Sequence, residues 1–199
     1  MKKSILILIV ALIAGHTTMT AGSPMKFRGF SGGMRLHTGW VGGGQATLTS
    51  GGQPISTHDI SGITYGIGGA AKFLFGDHLR VGGEGYSTTV HYDSYGSSFR
   101  IGWGGFLADW HWQAGRFYPF VGITVGGGSA KNLTLTPSIG DDFEVEPDTS
   151  YRSYAFMAAT PFIGIEYGLT ARLRLVMKAD WLFNVSNRQP DFPSGPRIY

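Results

Sequence analysis

Ala171–Phe183 reads ARLRLVMKADWLF, and taken in twos it separates into two faces. Leu173, Leu175, Met177, Ala179, Trp181 and Phe183 fall on one side. Arg172, Arg174, Val176, Lys178, Asp180 and Leu182 fall on the other. Successive strand side chains point to opposite faces, so this is a strand with one apolar and one charged face. Ala, Arg, Leu, Met and Lys also favour helices, but a helical period would mix Arg174 and Lys178 with Leu175 and Leu182. Which face meets water is open from this stretch alone. In a soluble sheet the charges face out. In a transmembrane barrel the apolar face meets lipid and the charges point into the lumen.

The N-terminus favours export. Met1-Lys2-Lys3-Ser4 precedes the apolar run Ile5–Ala14, and small and polar residues lead to Met19-Thr20-Ala21-Gly22. A basic start, a short apolar core and small residues at a cut site read as a cleaved signal peptide over 1–22, with the barrel domain over 23–199. The run is shorter than the ~20 residues of a spanning helix. The chain has no Cys, so neither a lipobox nor a disulfide is available. Its formal charge of +3 falls to about +1 without Lys2 and Lys3, which is no nucleic-acid footprint. No later apolar run is long enough for a spanning helix, so a membrane form must cross as strands.

Seven further stretches alternate as Ala171–Phe183 does. Met25–Gly44 places Met34, Leu36, Thr38 and Trp40 opposite Arg35 and His37. Gly62–Phe75 places Ile63, Tyr65, Ile67, Ala71, Phe73 and Phe75 opposite Lys72 and its glycines. Leu79–Tyr92 sets Leu79 and Val81 against Arg80 and Glu84. In Ser97–Trp112, Phe99, Ile101, Trp103, Gly105 and Leu107 share the face taken as apolar, with Arg100, Gly102, Gly104 and Ala108 opposite. Phe117–Leu135 and Thr149–Tyr167 follow the same rule, and Ser194–Tyr199 is too short for a full span. Connections at 76–78, 113–116 and 168–170 are short. Those at 45–61, 136–148 and 184–193 read as longer polar loops, while 93–96 is brief. Eight strands with alternating short turns and longer loops predict an all-β fold, an eight-stranded antiparallel up-and-down transmembrane β-barrel.

Aromatics crowd both strand ends, with Phe73, Phe75, Trp110, Trp112, Phe117, Tyr118 and Tyr167 at the short turns. Tyr92, Tyr95, Phe99, Tyr151, Tyr154 and Phe183 stand at the loops. Two such girdles suit the two lipid–water interfaces. A barrel this narrow fills its interior with side chains. Lys72, Arg80, Glu84, Arg100, Glu166, Arg174, Lys178 and Asp180 are expected to form a lumen ion-pair network, since buried charges must be paired, and no open pore is expected.

Gly164-Ile165-Glu166-Tyr167-Gly168-Leu169-Thr170, followed by Leu173, Leu175, Lys178 and Asp180, resembles the penultimate hairpin of small outer-membrane barrels of the OmpA/OmpX/opacity-protein type. Pro119-Phe120-Val121-Gly122-Ile123 resembles a strand opening common in the same group. The resemblance implies an integral barrel of the bacterial outer membrane and names no substrate. Arg197 stands where that group carries an apolar residue, and Pro161 falls within a strand.

Little in the sequence points to catalysis. His37, His58, His78, His91 and His111 lack zinc-protease spacing, and no G-x-S-x-G occurs. Ser87 and His91 share a strand face but stand roughly 13 Å apart. The expectation is a non-enzymatic outer-membrane barrel of structural or surface-interaction type, with no cofactor, no metal and no nucleic acid. Its expected partners are outer-membrane lipid or lipopolysaccharide, and periplasmic chaperones and the barrel-assembly machinery during biogenesis. Asp141, Asp142, Glu144 and Glu146 are candidate surface-loop contacts for an unidentified partner. The competing readings are a lipid A-modifying barrel enzyme and a soluble lipocalin-like binder.

Overall fold

A computed structural model describes residues 26–50, 53–93, 96–139, 145–186 and 189–199. At 48–50, 53–56, 136–139 and 145–148 it describes the backbone alone. The expected signal peptide, 1–22, and Tyr95 lie outside the described residues.

Nine strands follow in chain order: β1 (Phe27–Ser50), β2 (Gln53–Phe75), β3 (Leu79–His91), β4 (Ser98–His111), β5 (Phe117–Ile139), β6 (Val145–Gly168), β7 (Arg174–Trp181), β8 (Phe183–Asn184) and β9 (Pro196–Ile198). Strands β1 to β7 pair antiparallel in chain order, and β9 pairs with both β7 and β1. The sheet thus returns to its first strand. β8 prolongs the line of β7, since Ala159↔Phe183 keeps the register of Phe162↔Asp180. Pro161, which has no N–H for a ladder, stands at the level of the break between them. The ring has eight positions, as a small barrel of this kind requires.

Two connections that read as polar loops are largely strand. β1 and β2 stay paired out to Ser50↔Gln53, and β5 and β6 out to Ile139↔Val145. β-branched residues suit extended backbone, and the outer face of the β1–β2 extension is polar, with Gln45, Thr47, Thr57 and Asp59 exposed, which is why it reads as loop. The third, 184–193, also partly serves the ring: the Gln45 N–H donates to the Pro190 carbonyl, and Gly42 and Ser194 exchange backbone hydrogen bonds.

The outer wall is apolar. Met34 and Leu36 are 80% and 75% exposed, with Ile63, Phe106, Met157, Ile163, Leu175 and Met177 similarly bare. Inside, Val90, Phe99, Ile101, Trp103, Phe156 and Leu182 fill the loop half, while Leu107, Phe120 and Phe162 fill the turn half. The phase of β4 is therefore the reverse of the sequence expectation: Phe99, Ile101, Trp103 and Leu107 face inward, and Phe106 and Trp110 face out. Asp109 shares the phase of Phe99 and cannot be left unpaired on an apolar wall. It opposes Arg80 in the ladder and sets the orientation of the strand.

β9 is short. It covers Thr38–Gly39 of β1 and Ala179–Trp181 of β7, and Tyr199 adds two backbone hydrogen bonds to Lys178. The strands pack closely here: a Cβ on Gly39 would run into the Pro196 carbonyl. Towards the turns, the facing edges of β1 and β7 make no ladder with each other among the described residues. Seam-facing amides of Gly29–Leu36 and Arg174–Met177 are expected to exchange about tenfold or more faster than those of β3 and β4 in detergent. Residue-resolved hydrogen exchange checks this, and uniform protection would show the seam to be filled.

Candidate functional site

The interior polar network draws a member from every ring position. In the turn half, Asp109 from β4 accepts from Lys72 Nζ of β2 at 2.6 Å and from Arg80 Nε of β3 at 2.5 Å. Arg80 continues to Glu166 of β6 at 2.5 Å, and Arg174 of β7 meets the other Glu166 oxygen at 3.0 Å. Lys72 and Arg80 lie over the Phe120 ring, and Arg174 over Tyr118, which adds cation–π attraction.

Glu84 of β3 is the hub of the next layer. It accepts from Lys178 Nζ through both oxygens, at 2.7 and 2.8 Å, from Thr124 Oγ1 of β5 at 2.6 Å and from Arg35 of β1 at 3.1 Å. Lys178 also approaches Asp180 at 3.4 Å. Arg197 of β9 donates from Nε to Asp180 Oδ1 at 2.8 Å, with Nη2 at 2.7 Å from the same oxygen as a charge contact, and donates from Nη1 to the Tyr86 hydroxyl. Such low-dielectric pairs hold only because each charge is met by others.

At the loop end, the segment before β9 turns into the barrel. Asp191 is fully buried, accepting from the Tyr154 hydroxyl at 3.0 Å and Asn132 Nδ2 at 3.3 Å. Phe192 packs edge-on against Phe99 and Phe156. The Tyr92 hydroxyl, in the connection after β3, bonds Asn132 Oδ1 and Thr134 Oγ1. Burial pushes it above the ordinary tyrosine range, the Thr134 bond opposing. Asp191→Ala would strand the Tyr154 hydroxyl and the Asn132 amide. It is expected to lower stability by about 1–3 kcal/mol, read as an earlier urea midpoint in the same detergent.

Of the eight sequence candidates, Lys72, Arg80, Glu84, Glu166, Arg174, Lys178 and Asp180 join these layers, with Arg174 at the rim. Arg100 does not. It belongs to the outward phase of β4, is exposed, and donates from Nε to Ser87 Oγ at 3.1 Å. The correction follows from the reversed phase of β4. Arg35, Asp109 and Arg197 are network members that the sequence reading missed. For Asp109 the signal was there, a carboxylate in phase with Phe99–Leu107. Ser87 and His91 are not brought together: the His91 Nε2 meets the Tyr65 hydroxyl. Asp141, Asp142 and Glu144 lie outside the described residues, and Glu146 is described by its backbone alone, opposite Ser138. The girdle expectation also changes, since Phe99 is buried and Tyr154 turns inward to Asp191.

No family model and no curated protein matches the sequence. Among solved structures, the chain is similar to Ail, the attachment invasion locus protein of Yersinia pestis. In the complex with the heparin analogue sucrose octasulfate the identity is 11%, with 83% of this chain and 93% of that chain covered and a TM-score of 0.42. Ail alone gives 10% identity, the same coverage and a TM-score of 0.43. The N-terminal β-barrel domain of OprF from Pseudomonas aeruginosa gives 11% identity over 87% of this chain and 97% of that chain, with a TM-score of 0.36. These are small bacterial outer-membrane β-barrels. At such identities and scores they carry no residue role or activity to this chain.

Proposed function

We propose that this protein is an integral β-barrel of the bacterial outer membrane, non-enzymatic, with no open pore, that presents its tall hairpins for interaction outside the cell. The observation that carries the reading is the inversion of the wall. Carboxylates, lysines and arginines are buried in the lumen while Met34, Leu36, Ile63 and Leu175 stand bare outside. Water rewards the opposite arrangement, whereas lipid requires this one.

The surface-interaction part rests on strand length. A tilted strand crosses with about 9–11 residues. β1, β2, β5 and β6 have 24, 23, 23 and 24. Both long hairpins rise on the side of the longer connections, which outer-membrane barrels place outside the cell. They occupy opposite sides of the ring, with β3–β4 and β7–β9 between them. Their biogenesis partners are then periplasmic chaperones and the barrel-assembly machinery, acting on an exported chain.

A lipocalin-like role needs a ligand chamber. The cavity beside Val41, Val90, Phe99, Leu182 and Arg197 measures about 20 Å³, room for a water. The experiment is a cold-against-boiled denaturing gel of detergent-folded protein, paired with density fractionation of cell membranes. A mobility shift on boiling and sedimentation with the outer membrane are expected. A protein soluble in plain buffer with no shift would end the reading.

A further inference from the structure

The outward turn of Arg100 creates a feature that the lumen network does not explain. Arg100 on β4 is directly opposite Lys131 on β5 in the ladder. Opposed side chains in a ladder start about 5 Å apart, and like charges so placed repel. Both are exposed, and among the described residues neither makes an ion pair. On the outer wall of β3 to β6 they are the only described lysine, arginine or carboxylate. The row continues on either side with hydroxyls, Thr89 on β3 and Ser153 on β6. The Ser87 hydroxyl accepts from Arg100 Nε and aims the guanidinium along the wall.

Height says what the row meets. Trp110 faces out near the short-turn end of β4. Arg100 stands ten positions further along the same strand and in the same phase. At about 3.3 Å per residue that is about 33 Å of strand. A tilt of about 40° projects it to about 25 Å, the height of a barrel's apolar band. The row therefore sits where the acyl chains of the outer leaflet end and the headgroups begin. Two cations flanked by hydroxyls at that level are complementary to phosphate on a lipid headgroup.

We infer that Thr89, Arg100, Lys131 and Ser153 form a binding site on the outer wall for the phosphate of an outer-leaflet glycolipid, the lipid A class. The site rests on the outer-membrane reading. Bound phosphate relieves the Arg100–Lys131 repulsion and fixes the rotational setting of the β3–β6 wall against the leaflet. Arg100 supplies a planar, two-pronged donor and Lys131 a point charge.

The test uses the full chain folded in detergent, titrated with bisphosphorylated lipid A, with dephosphorylated lipid A and with inorganic pyrophosphate. The phosphorylated lipid is expected to bind about tenfold or more tightly than the dephosphorylated one, and R100Q/K131Q to remove that preference. R100K/K131R should keep most of it. Equal binding of the two lipids by the wild type overturns the proposal without any variant. Pyrophosphate binding as tightly as the lipid overturns the lipid as the source of the phosphate. The boiling shift is read on the same samples. An intact shift with no phosphate preference sinks this site alone, whereas a wild type without a shift sinks the membrane reading with it.

Discussion

Asp109→Asn is expected to destabilise the folded barrel by about 3–5 kcal/mol, the usual cost of stripping one partner from a buried ion pair. Asp109 is fully buried and is the sole carboxylate within ion-pair reach of Lys72 among the described residues. The amide has nearly the carboxylate's shape but cannot balance Lys72, 4% exposed, or Arg80. Arg80 keeps Glu166, whereas Lys72 keeps only the Phe120 ring. Urea titration of the folded band on cold gels measures the loss. The double variant K72M/D109L is expected to lose less than D109N, because it removes the stranded charge with its partner. A loss below about 1 kcal/mol for D109N would mean that water reaches this layer and screens it.

Arg197→Leu should be as costly, with a different symptom. β9 has three residues, so its backbone ladder is a weak clasp between β1 and β7. Arg197 is fully buried and ties that clasp to Asp180 of β7 and Tyr86 of β3. Leucine there leaves Lys178, at 3.4 Å, as the one cation within ion-pair reach of Asp180 among the described residues. The expected result is loss of the cold-resistant compact band, with an unfolding cost of about 3–5 kcal/mol where a band persists. Arg197→Lys should retain the band with reduced stability, since it keeps the charge but loses the fork. A full-strength band for R197L would show that backbone pairing alone closes the ring.

Arg197 also shows where sequence reading stops. By pattern it is an arginine in an apolar place, a departure from the small outer-membrane barrels the chain resembles. In the ring it opposes Asp180 in the β7–β9 ladder and needs no other explanation. Lys178 and Asp180 were legible as inward residues because Leu175, Met177 and Ala179 alternate with them. Which cation met which carboxylate was not, because ladder partners lie far apart in the chain. Glu84 and Lys178 are 94 residues apart.

β4 was misread for a related reason. In a narrow barrel glycines and large apolar residues occupy both faces, so composition alone does not orient a strand. Phe99, Ile101, Trp103 and Leu107 are as apolar as any lipid-facing set, yet they are buried inside, where Trp103 stands opposite Gly128 and Ile101 opposite Ala130 on the neighbouring strand. The charge in phase with them, Asp109, was the better guide. The β1–β2 extension was missed because its outward residues, Gln45, Thr47, Thr57 and Asp59, are polar and give no apolar face to read, whereas the alternation of charged with apolar residues at 143–146 was present in the sequence.

The chain's local pattern specifies strands with short turns at 76–78, 113–116 and 168–170. It also dictates that charges must gather on one side of them, because period-two alternation is a local property of the backbone. Pairing in three dimensions set the phase of β4, the closure through β9 and the outward placement of Arg100 beside Lys131. Those depend on register, and register is settled when strands distant in the chain pair their charges and fill one another's gaps.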